Sequence, residues 1–345
     1  MQRAQTGLMK FTATFLSLWL MLPLAAQAAD SGYHVLKTVM LGGDGGFDYL
    51  NLDPASGYLY ITRGTHLMVV DVDAGKLVTD IIGLTGIHGT AFAGGKAYIS
   101  EGGANKVTLV DTKSFAKLGE IAVGMNPDGI MYDAASNRVF TFNGRSNDAT
   151  AIDAATGKVV GTIALGGKPE AASSDEAGTI FVNVENKNEL VAFDAKTLQV
   201  KARYPLTGCE SPTGQAMDIA RSRIFAVCDG GVMAVADAKT GKVVNTVKIG
   251  NGPDAARFDT ATDLVFASNG QSGTLTIAHE DSPDSYTVLD NIETARGART
   301  MELDPKSHRV FVAGAEYQTA APTAKNPRPR PTVVPGSFRL IVLGR

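Results

Sequence analysis

The sequence predicts an all-β protein, a seven-bladed β-propeller, and three observations support this prediction. The 345-residue chain has 44% hydrophobic residues and 38 glycines, a composition typical of a globular chain with many short strands and turns. A single aromatic position recurs along the chain. The segments around it align without gaps, as in NPDGIMYDAASNRVFTFN from residue 126 and GPDAARFDTATDLVFASN from residue 252.

The recurring aromatic position marks seven units of 38 to 45 residues. Its members are Tyr60, Tyr98, Phe140, Phe181, Phe225, Phe266 and Phe311. Within a unit we expect four short strands, for example at 130–132, 138–142, 149–152 and 158–165. Four strands at a period near 40 are typical of a propeller blade, whereas a helical solenoid would need long amphipathic helices, which this sequence lacks.

The two ends of the chain are expected to complete one blade together. The last unit has no fourth strand after 337–344, and residues 33–43 resemble the fourth-strand segment 157–167. Pairing of the N-terminal strand with the last strand would close the ring and remove the two open sheet edges. We therefore predict one domain over residues 29–345.

Residues 1–28 have the pattern of a secretory signal peptide. Arg3 and Lys10 precede an apolar stretch at 11–24, and Ala26-Gln27-Ala28 forms a cleavage site. The alternative, an N-terminal membrane anchor, is disfavoured because the stretch is short for a bilayer. We expect cleavage after Ala28 and a monomeric protein in the periplasm or secreted, without a membrane span in its mature form.

Charge and cysteine content restrict the function further. Without the two basic residues of the signal peptide, 30 basic residues face 35 acidic ones, a formal balance of 30 − 35 = −5. Such a surface is a poor partner for phosphate backbones, so nucleic-acid binding is not expected. In an oxidising compartment Cys209 and Cys228 are expected to form a disulfide. Cys209 precedes the first predicted strand of the fifth unit, and Cys228 ends the second, which is expected to pair with it.

The repeat resembles the YVTN-repeat, YncE-like β-propellers of bacteria. The resemblance lies in VFTFNG and ATAIDAATGKVVGTIALG of the third unit and in the motif variants YITR, YISE, FTFN and FASN, which begin at Tyr60, Tyr98, Phe140 and Phe266. It implies a propeller fold and export. Members of this family mostly lack an assigned activity, and some similar propellers have been linked to DNA binding, a role that the acidic balance of this chain disfavours.

The strongest candidate site is the mouth of the central channel. Aligning Asp128 through the repeats gives one residue per blade, namely Asp48, His88, Asp128, Glu170, Thr213, Asp254 and Arg299. An acid after Pro and before Gly can simply form a turn, but converging carboxylates need a compensating cation or ligand. Five of the seven could bind Ca²⁺, Mg²⁺, Mn²⁺ or Zn²⁺: His88, Asp48, Asp128, Glu170 and Asp254.

Other residues are assigned by the same alignment. The ends of the second strands are expected to face the mouth and add Arg63, Glu101, Asn143, Cys228 and Asn269, with Arg145 and Glu185 close behind. In contrast, Asp133 and its equivalents Asp53, Asp175, Asp218, Asp259 and Asp304 lie at the far turn and are expected to be structural. The same holds for the aspartates that end the third strands, Asp71, Asp111, Asp153, Asp194 and Asp237.

The loop at residues 314–337 is inserted into the last blade and is rich in proline and basic residues. Its extended character would suit a strap across the mouth, where Lys325, Arg328 and Arg330 would be attracted to the acids. A disordered excursion into solvent is the alternative.

The function that these features favour is binding, and the ligand stays open. No nucleophile motif, zinc-protease motif or phosphate-binding loop is present. We predict a binding or scaffold propeller that holds a small molecule, a metal ion or a protein segment at the mouth. The alternative is a metal-assisted hydrolase or lyase acting on a lactone or carbohydrate there. Single-stranded DNA binding is a third and weaker hypothesis. No cofactor is identified beyond a divalent cation.

Overall fold

The structure is a computed structural model, and it describes residues 1, 2, 4, 30–321, 323 and 328–345. The predicted signal peptide therefore lies outside the described residues apart from three positions, and so does Lys325 of the predicted strap. In the described part of the chain, no helix has the length and apolar character needed to cross a bilayer.

Strands make up nearly all of the regular structure in these residues, together with one 3-10 helix at Glu185–Lys187. In chain order the strands are β1 His34–Met40, β2 Leu50–Leu52, β3 Leu59–Thr62, β4 Gly64–Asp71, β5 Lys76–Ala93, β6 Lys96–Glu101, β7 Lys106–Asp111, β8 Lys117–Ala122, β9 Pro127–Asp133, β10 Arg138–Asn143, β11 Asp148–Asp153, β12 Val159–Ala164, β13 Pro169–Ser174, β14 Thr179–Val184, β15 Glu189–Asp194, β16 Val200–Pro205, β17 Glu210–Asp218, β18 Arg223–Asp229, β19 Val232–Asp237, β20 Val243–Lys248, β21 Pro253–Asp259, β22 Leu264–Asn269, β23 Thr274–Ser282, β24 Ser285–Glu293, β25 Met301–Asp304, β26 Arg309–Gly314, β27 Tyr317–Gln318, β28 Thr332–Val333 and β29 Arg339–Gly344. The predicted all-β class is confirmed.

The strands form antiparallel sheets that follow the sequence repeats. Four sheets contain four consecutive strands each, β9 to β12, β13 to β16, β17 to β20 and β21 to β24. A fifth four-stranded sheet has the order β1-β29-β26-β25. In it His34 pairs with Gly344 and Met40 pairs with Arg339, so the predicted pairing of the N-terminal strand with the last strand is present.

The first two repeats differ from the prediction because one long strand joins them. β2 to β8 form a single seven-stranded sheet. The 18-residue strand β5 pairs with β4 along its first half and with β6 along its second half. The glycines at 83 and 86, both with positive φ, let the chain redirect without leaving the extended ladder. Sequence spacing alone could not distinguish this strand from two strands and a turn.

The core lies between neighbouring sheets. The recurring aromatic residue is buried in every repeat, with exposures of 0% in six copies and 4% at Phe181. In one cluster Phe140 of β10 packs edge-on against Phe193 of β15, at 5.4 Å between ring centroids. Burying such a ring contributes about 1.5–3 kcal/mol. This packing holds the sheets together and places their first strands, with the predicted mouth residues, beside one another.

The aspartates predicted to be structural cap turns. At the end of a third strand, Asp153 accepts hydrogen bonds from the backbone N–H and hydroxyl of Thr156. At the far turn, Asp133 accepts from the backbone N–H and hydroxyl of Ser136 and from Ser174 Oγ. The carboxylate of Asp128, in contrast, faces His88. The structure therefore separates the two acids of this segment as the alignment predicted.

The structure contains the predicted disulfide between Cys209 and Cys228, whose Cα atoms are 5.4 Å apart. Cys209 directly precedes β17 and Cys228 lies in β18, and these two strands pair with each other. The bridge therefore ties the segment that leads into the first strand of this repeat to its second strand.

Candidate functional site

The residues predicted to form the channel mouth lie at or just before the start of the first strands. Asp128, Glu170 and Asp254 are each the second residue of β9, β13 and β21. Asp48 and Arg299 lie two residues before β2 and β25. His88 lies within β5 and Thr213 within β17. Equivalent positions of the repeats thus lie at the same end of their first strands.

A polar residue on the second strand holds the mouth residue of the following repeat. Thr62 Oγ1 donates to the carbonyl oxygen of His88 at 2.7 Å, and Ser100 Oγ donates to that of Asp128 at 2.7 Å. Asn183 Nδ2 donates to the carbonyl oxygen of Thr213 at 3.0 Å. These donors occupy the third position of motifs such as YITR and YISE. The third motif position therefore fixes the backbone of the mouth, a role that sequence analysis missed.

Three mouth residues form a cluster that could hold a metal ion. His88 Nδ1 lies 2.7 Å from Asp48 Oδ2 and 3.5 Å from Asp128 Oδ1. One donor atom from each of the three lies within 4.8 Å of the others, the only such group among the described residues. Two carboxylates and an imidazole suit a hard or borderline divalent cation.

The other two acids of the predicted metal set lie in separate ion pairs. Arg299 Nε lies 2.7 Å from Asp254 Oδ2, and Arg299 Nη2 lies 3.5 Å from Asp48 Oδ1. Lys168 Nζ contacts the carboxylates of both Glu170 and Glu185. The structure thus brings Asp48, His88 and Asp128 together and places Glu170 and Asp254 beside cations of the chain itself.

The charge compensation at the mouth is therefore largely internal. A chain of contacts runs from Asp254 through Arg299, Asp48 and His88 to Asp128. Sequence analysis missed Lys168, which is the one charged residue two positions before a mouth residue. The six equivalent positions hold Gly, Asn or Ser. The single charged residue in this column of the alignment could therefore have indicated that Lys168 lies at the mouth.

Burial and mutual repulsion raise the proton affinity of the mouth acids. Burial, followed by the charge of Asp48, raises the pKa of Asp128 to about 6. Burial raises the pKa of Asp254 to about 7 against the opposing effect of Arg299. Burial and the charge of Asp128 raise the pKa of Glu170 to about 9. The pKa values of Asp128 and Asp254 thus lie near neutral pH, and acids shifted in this way are typical of functional sites.

The imidazole of His88 is shifted by the same neighbours. Burial alone would lower its pKa, but the hydrogen bond to Asp48 and the charges of Asp128 and Asp48 raise it overall. Without a cation, His88 therefore holds a proton between two carboxylates. A metal ion bound there would have to displace that proton.

Beneath the carboxylates lies Tyr49, which sequence analysis missed. It lines a cavity of about 90 Å³ in the channel, together with Gln215 and Arg257. Burial and the charges of Asp128, Glu170, Asp254 and Asp48 raise its pKa well above the ordinary value. Its hydroxyl thus lies within the field of all four mouth acids and contributes a polar group below them.

Four predicted site residues at the ends of second strands do not face the mouth. Arg63, Glu101, Asn143 and Asn269 are all 0% exposed. Asn143 donates to Asp148 and Thr150 of its own sheet, and Glu101 accepts from Thr85 N and Thr108 Oγ1. Their buried side chains bond instead to a preceding loop, as Arg63 does, or to their own sheet, as Asn143 does. Arg145 is exposed.

The described part of the inserted loop lies beside the mouth. Its strands β27 and β28 pair as a hairpin. Tyr317, Thr319 and Arg330 of the loop line a cleft of about 1120 Å³ that Asp254 and Arg299 also line. These loop residues therefore reach the mouth rather than extending only into solvent.

Comparison of the sequence with protein families identifies the chain. The profile of the PQQ_2 family, described as outer membrane protein assembly factor BamB, matches residues 103–282, more than half of the 345 residues. The chain belongs to the PQQ_2 family. Membership agrees with the repeated four-stranded units, and the narrower YVTN resemblance stays a prediction. No curated protein matches this PQQ_2 chain.

Solved structures resemble this PQQ_2 protein in fold. Kuenenia stuttgartiensis hydrazine synthase superposes with a TM-score of 0.69 at 15% identity, covering 78% of this chain and 92% of that one. The WD40 repeats of RRP9 give a TM-score of 0.73 at 11% identity, with 92% and 99% coverage. A chain of the mitotic checkpoint complex gives 0.70 at 14% identity, with 97% and 99% coverage. At these identities the likeness shows the β-propeller fold alone.

Proposed function

We propose that this PQQ_2 protein is an exported, monomeric seven-bladed propeller that binds a ligand at the channel mouth, with a divalent cation held by Asp48, His88 and Asp128. The convergence of these three side chains within 4.8 Å carries the proposal. The sheets and the pairing of β1 with β29 support seven blades in a closed ring. The disulfide and the family favour a location outside the cytoplasm.

Cation binding is tested directly on the purified full chain. After dialysis against a chelator, Mn²⁺, Zn²⁺ and Ca²⁺ are titrated in separate calorimetric experiments at pH 7.5. We expect one site for at least one of these ions and at least tenfold weaker binding in His88→Ala and Asp128→Asn. The affinity should rise from pH 5.5 to pH 7.5, because His88 and Asp128 must lose protons to bind the ion.

The matched control is His279→Ala, which removes another His–Asp pair. His279 Nδ1 lies 2.7 Å from Asp281 Oδ1, both side chains are partly exposed, and this pair belongs to no group of three potential ligands among the described residues. Its loss should leave cation affinity unchanged. Absence of binding in the unaltered protein, or equal losses in His88→Ala and His279→Ala, would refute the cation site.

A second function, a metal-assisted hydrolase or lyase, is favoured by one observation. Asp254, with a pKa of about 7, lies in the same network as the proposed cation ligands and could take up a proton near neutral pH. The test is turnover of a simple lactone such as dihydrocoumarin by the Mn²⁺-loaded protein. A rate equal to that of Asp128→Asn would argue for a binding role alone.

A further inference from the structure

The cleft beside the mouth carries an inference that goes beyond the proposed cation site. It has a volume of about 1120 Å³ and is lined by four parts of the chain: Thr213 and Asp229 of β17 and β18, the loops that flank β21 and β22, the segment before β25, and the described residues of the inserted loop. Its size is sufficient for a small organic ligand.

Two guanidinium groups in this cleft have no ionic partner among the described residues. Arg296 and Arg330 both line it, are exposed and form no ion pair with any described residue. The third arginine, Arg299, differs because it contacts both Asp254 and Asp48. A planar guanidinium presents donors in a fork that matches a carboxylate or phosphate. Arg296 and Arg330 therefore present positive charge that no described carboxylate neutralises through an ion pair.

An aromatic ring is held beside the same arginines. Tyr317 Cε2 would lie only 2.3 Å from a Cβ atom built at Gly297, so the ring rests directly on this glycine. Gly297 has φ +80°, which favours glycine. The exposed face of a tyrosine offers a stacking surface for a ring-shaped ligand. Amide and hydroxyl groups of Asn251, Gln271 and Thr319 lie around it and suit ligand hydroxyls.

The surroundings select a compact anion over a polymer. Asp229 lies in the cleft, and Asp48, Asp128 and Glu185 lie on the adjoining mouth. An extended polyanion crossing this face would meet all of these carboxylates, whereas a ligand with one anionic group needs only the two arginines as partners for its charge. The net negative charge of the whole chain also disfavours binding of a polyanion.

We infer that this cleft binds a compact ligand in which a carboxylate or phosphate group is carried on a hydroxylated ring, with Arg296 and Arg330 on the anion and Tyr317 on the ring. The cation cluster and this cleft use different side chains, so the two sites can fail separately. Each is tested with substitutions that spare the other.

The test titrates D-glucuronate, glucose 6-phosphate and glucose into the chelator-treated full chain and measures binding by calorimetry. We expect at least one of the two anions to bind, and to bind at least tenfold more tightly than glucose, with an affinity that falls as NaCl rises. The carboxylate and phosphate arms decide which oxyanion the cleft prefers. The double variant R296A/R330A should weaken the anion at least tenfold.

Two controls keep the result interpretable. Arg145→Ala removes an exposed arginine that does not line the cleft and should leave anion affinity unchanged. Gly297→Ala should displace Tyr317 and weaken the anion without weakening cation binding. If that variant fails to fold, the two exposed arginines still decide the outcome. No binding of either anion, equal binding of glucose, equal loss in Arg145→Ala, or tighter binding of a single-stranded oligothymidylate would overturn the inference.

Discussion

Arg63 is expected to organise the mouth from inside the protein. Its side chain is 0% exposed, and its guanidinium lies 3.8 Å from the ring centroid of Phe338. Its donors bond to the carbonyl oxygens of residues in the loop at 42–46: Gly46 at 3.0 Å, Gly42 at 3.0 Å, Asp44 at 3.0 Å and Gly45 at 3.2 Å. This loop leads directly to Asp48. Removing the guanidinium should therefore unfold the loop and misplace one cation ligand.

The expected loss of unfolding free energy in Arg63→Ala is the difference between two opposing contributions. A hydrogen bond from a charged donor contributes about 1.5 kcal/mol at the lower end of its range, so four contribute about 6 kcal/mol. Burial lowers the pKa of Arg63 to about 10, and keeping the group charged there costs about 3 kcal/mol. We take the lower end because the loop is exposed and its freed carbonyls regain water. Arg63→Ala should thus lower the free energy of unfolding by about 3 kcal/mol.

The assay is urea-induced unfolding followed by circular dichroism, with the slope compared among variants. Arg63→Met keeps most of the side-chain volume but loses every donor, so it should lose most of the same stability. Arg63→Lys keeps the charge but lacks the planar fork and should recover only part of it. Arg145→Ala, at an exposed arginine, should change stability by less than about 0.5 kcal/mol.

The reasoning would be refuted if Arg63→Ala fell within about 0.5 kcal/mol of the unaltered protein. Full recovery in Arg63→Met would also count against it, because apolar packing would then explain the effect. A further readout is cation affinity, which should weaken in Arg63→Ala if the loop positions Asp48.

Two more predictions concern pH and the disulfide. The pKa values of Asp128 and Asp254 are raised to about 6 and about 7, so the folded chain binds these protons more tightly than the unfolded chain and the stability they contribute is lost as pH rises from about 4 to 7. The cation-free protein should therefore melt at a lower temperature at pH 8 than at pH 5.5, with a smaller difference in Asp128→Asn. A melting temperature that does not change with pH would contradict this prediction. The disulfide between Cys209 and Cys228 closes a loop with a sequence separation of 19. The Cys209→Ser/Cys228→Ser variant should therefore lose about 3 kcal/mol of unfolding free energy. An unchanged midpoint of urea unfolding would contradict this prediction.

The repeat made the fold and the convergence of Asp48, His88 and Asp128 predictable. Because each mouth residue occupies the same place in its unit, aligning Asp128 with Asp48 and His88 predicted a cluster that no single segment reveals. The same alignment separated Asp128 from Asp133, whose carboxylate bonds to Ser136. Periodicity therefore predicts which end of a strand a residue occupies.

Periodicity does not predict where a side chain turns at that end. Arg63 and Asn143 follow the same motif, yet Arg63 satisfies carbonyls of the preceding loop and Asn143 bonds to Asp148. Such inward contacts depend on loop conformation, which the repeat does not specify. Strand β5 escaped prediction for a related reason, because the glycines between its halves continue the ladder where other repeats turn.

Tyr49 shows that an exception within a repeat can be as informative as the pattern. The residue after each mouth residue is small in the other six repeats: Gly89, Gly129, Ala171, Gly214, Ala255 and Thr300. The first strands crowd one another there, since a Cβ built at Gly214 would lie 2.5 Å from the Cα of Ala255. One repeat alone carries a large ring at this position, and that ring lies in the channel beneath the acids. A ligand at the mouth would then lie above the hydroxyl of Tyr49 and the polar groups of Gln215 and Arg257, which line the same cavity.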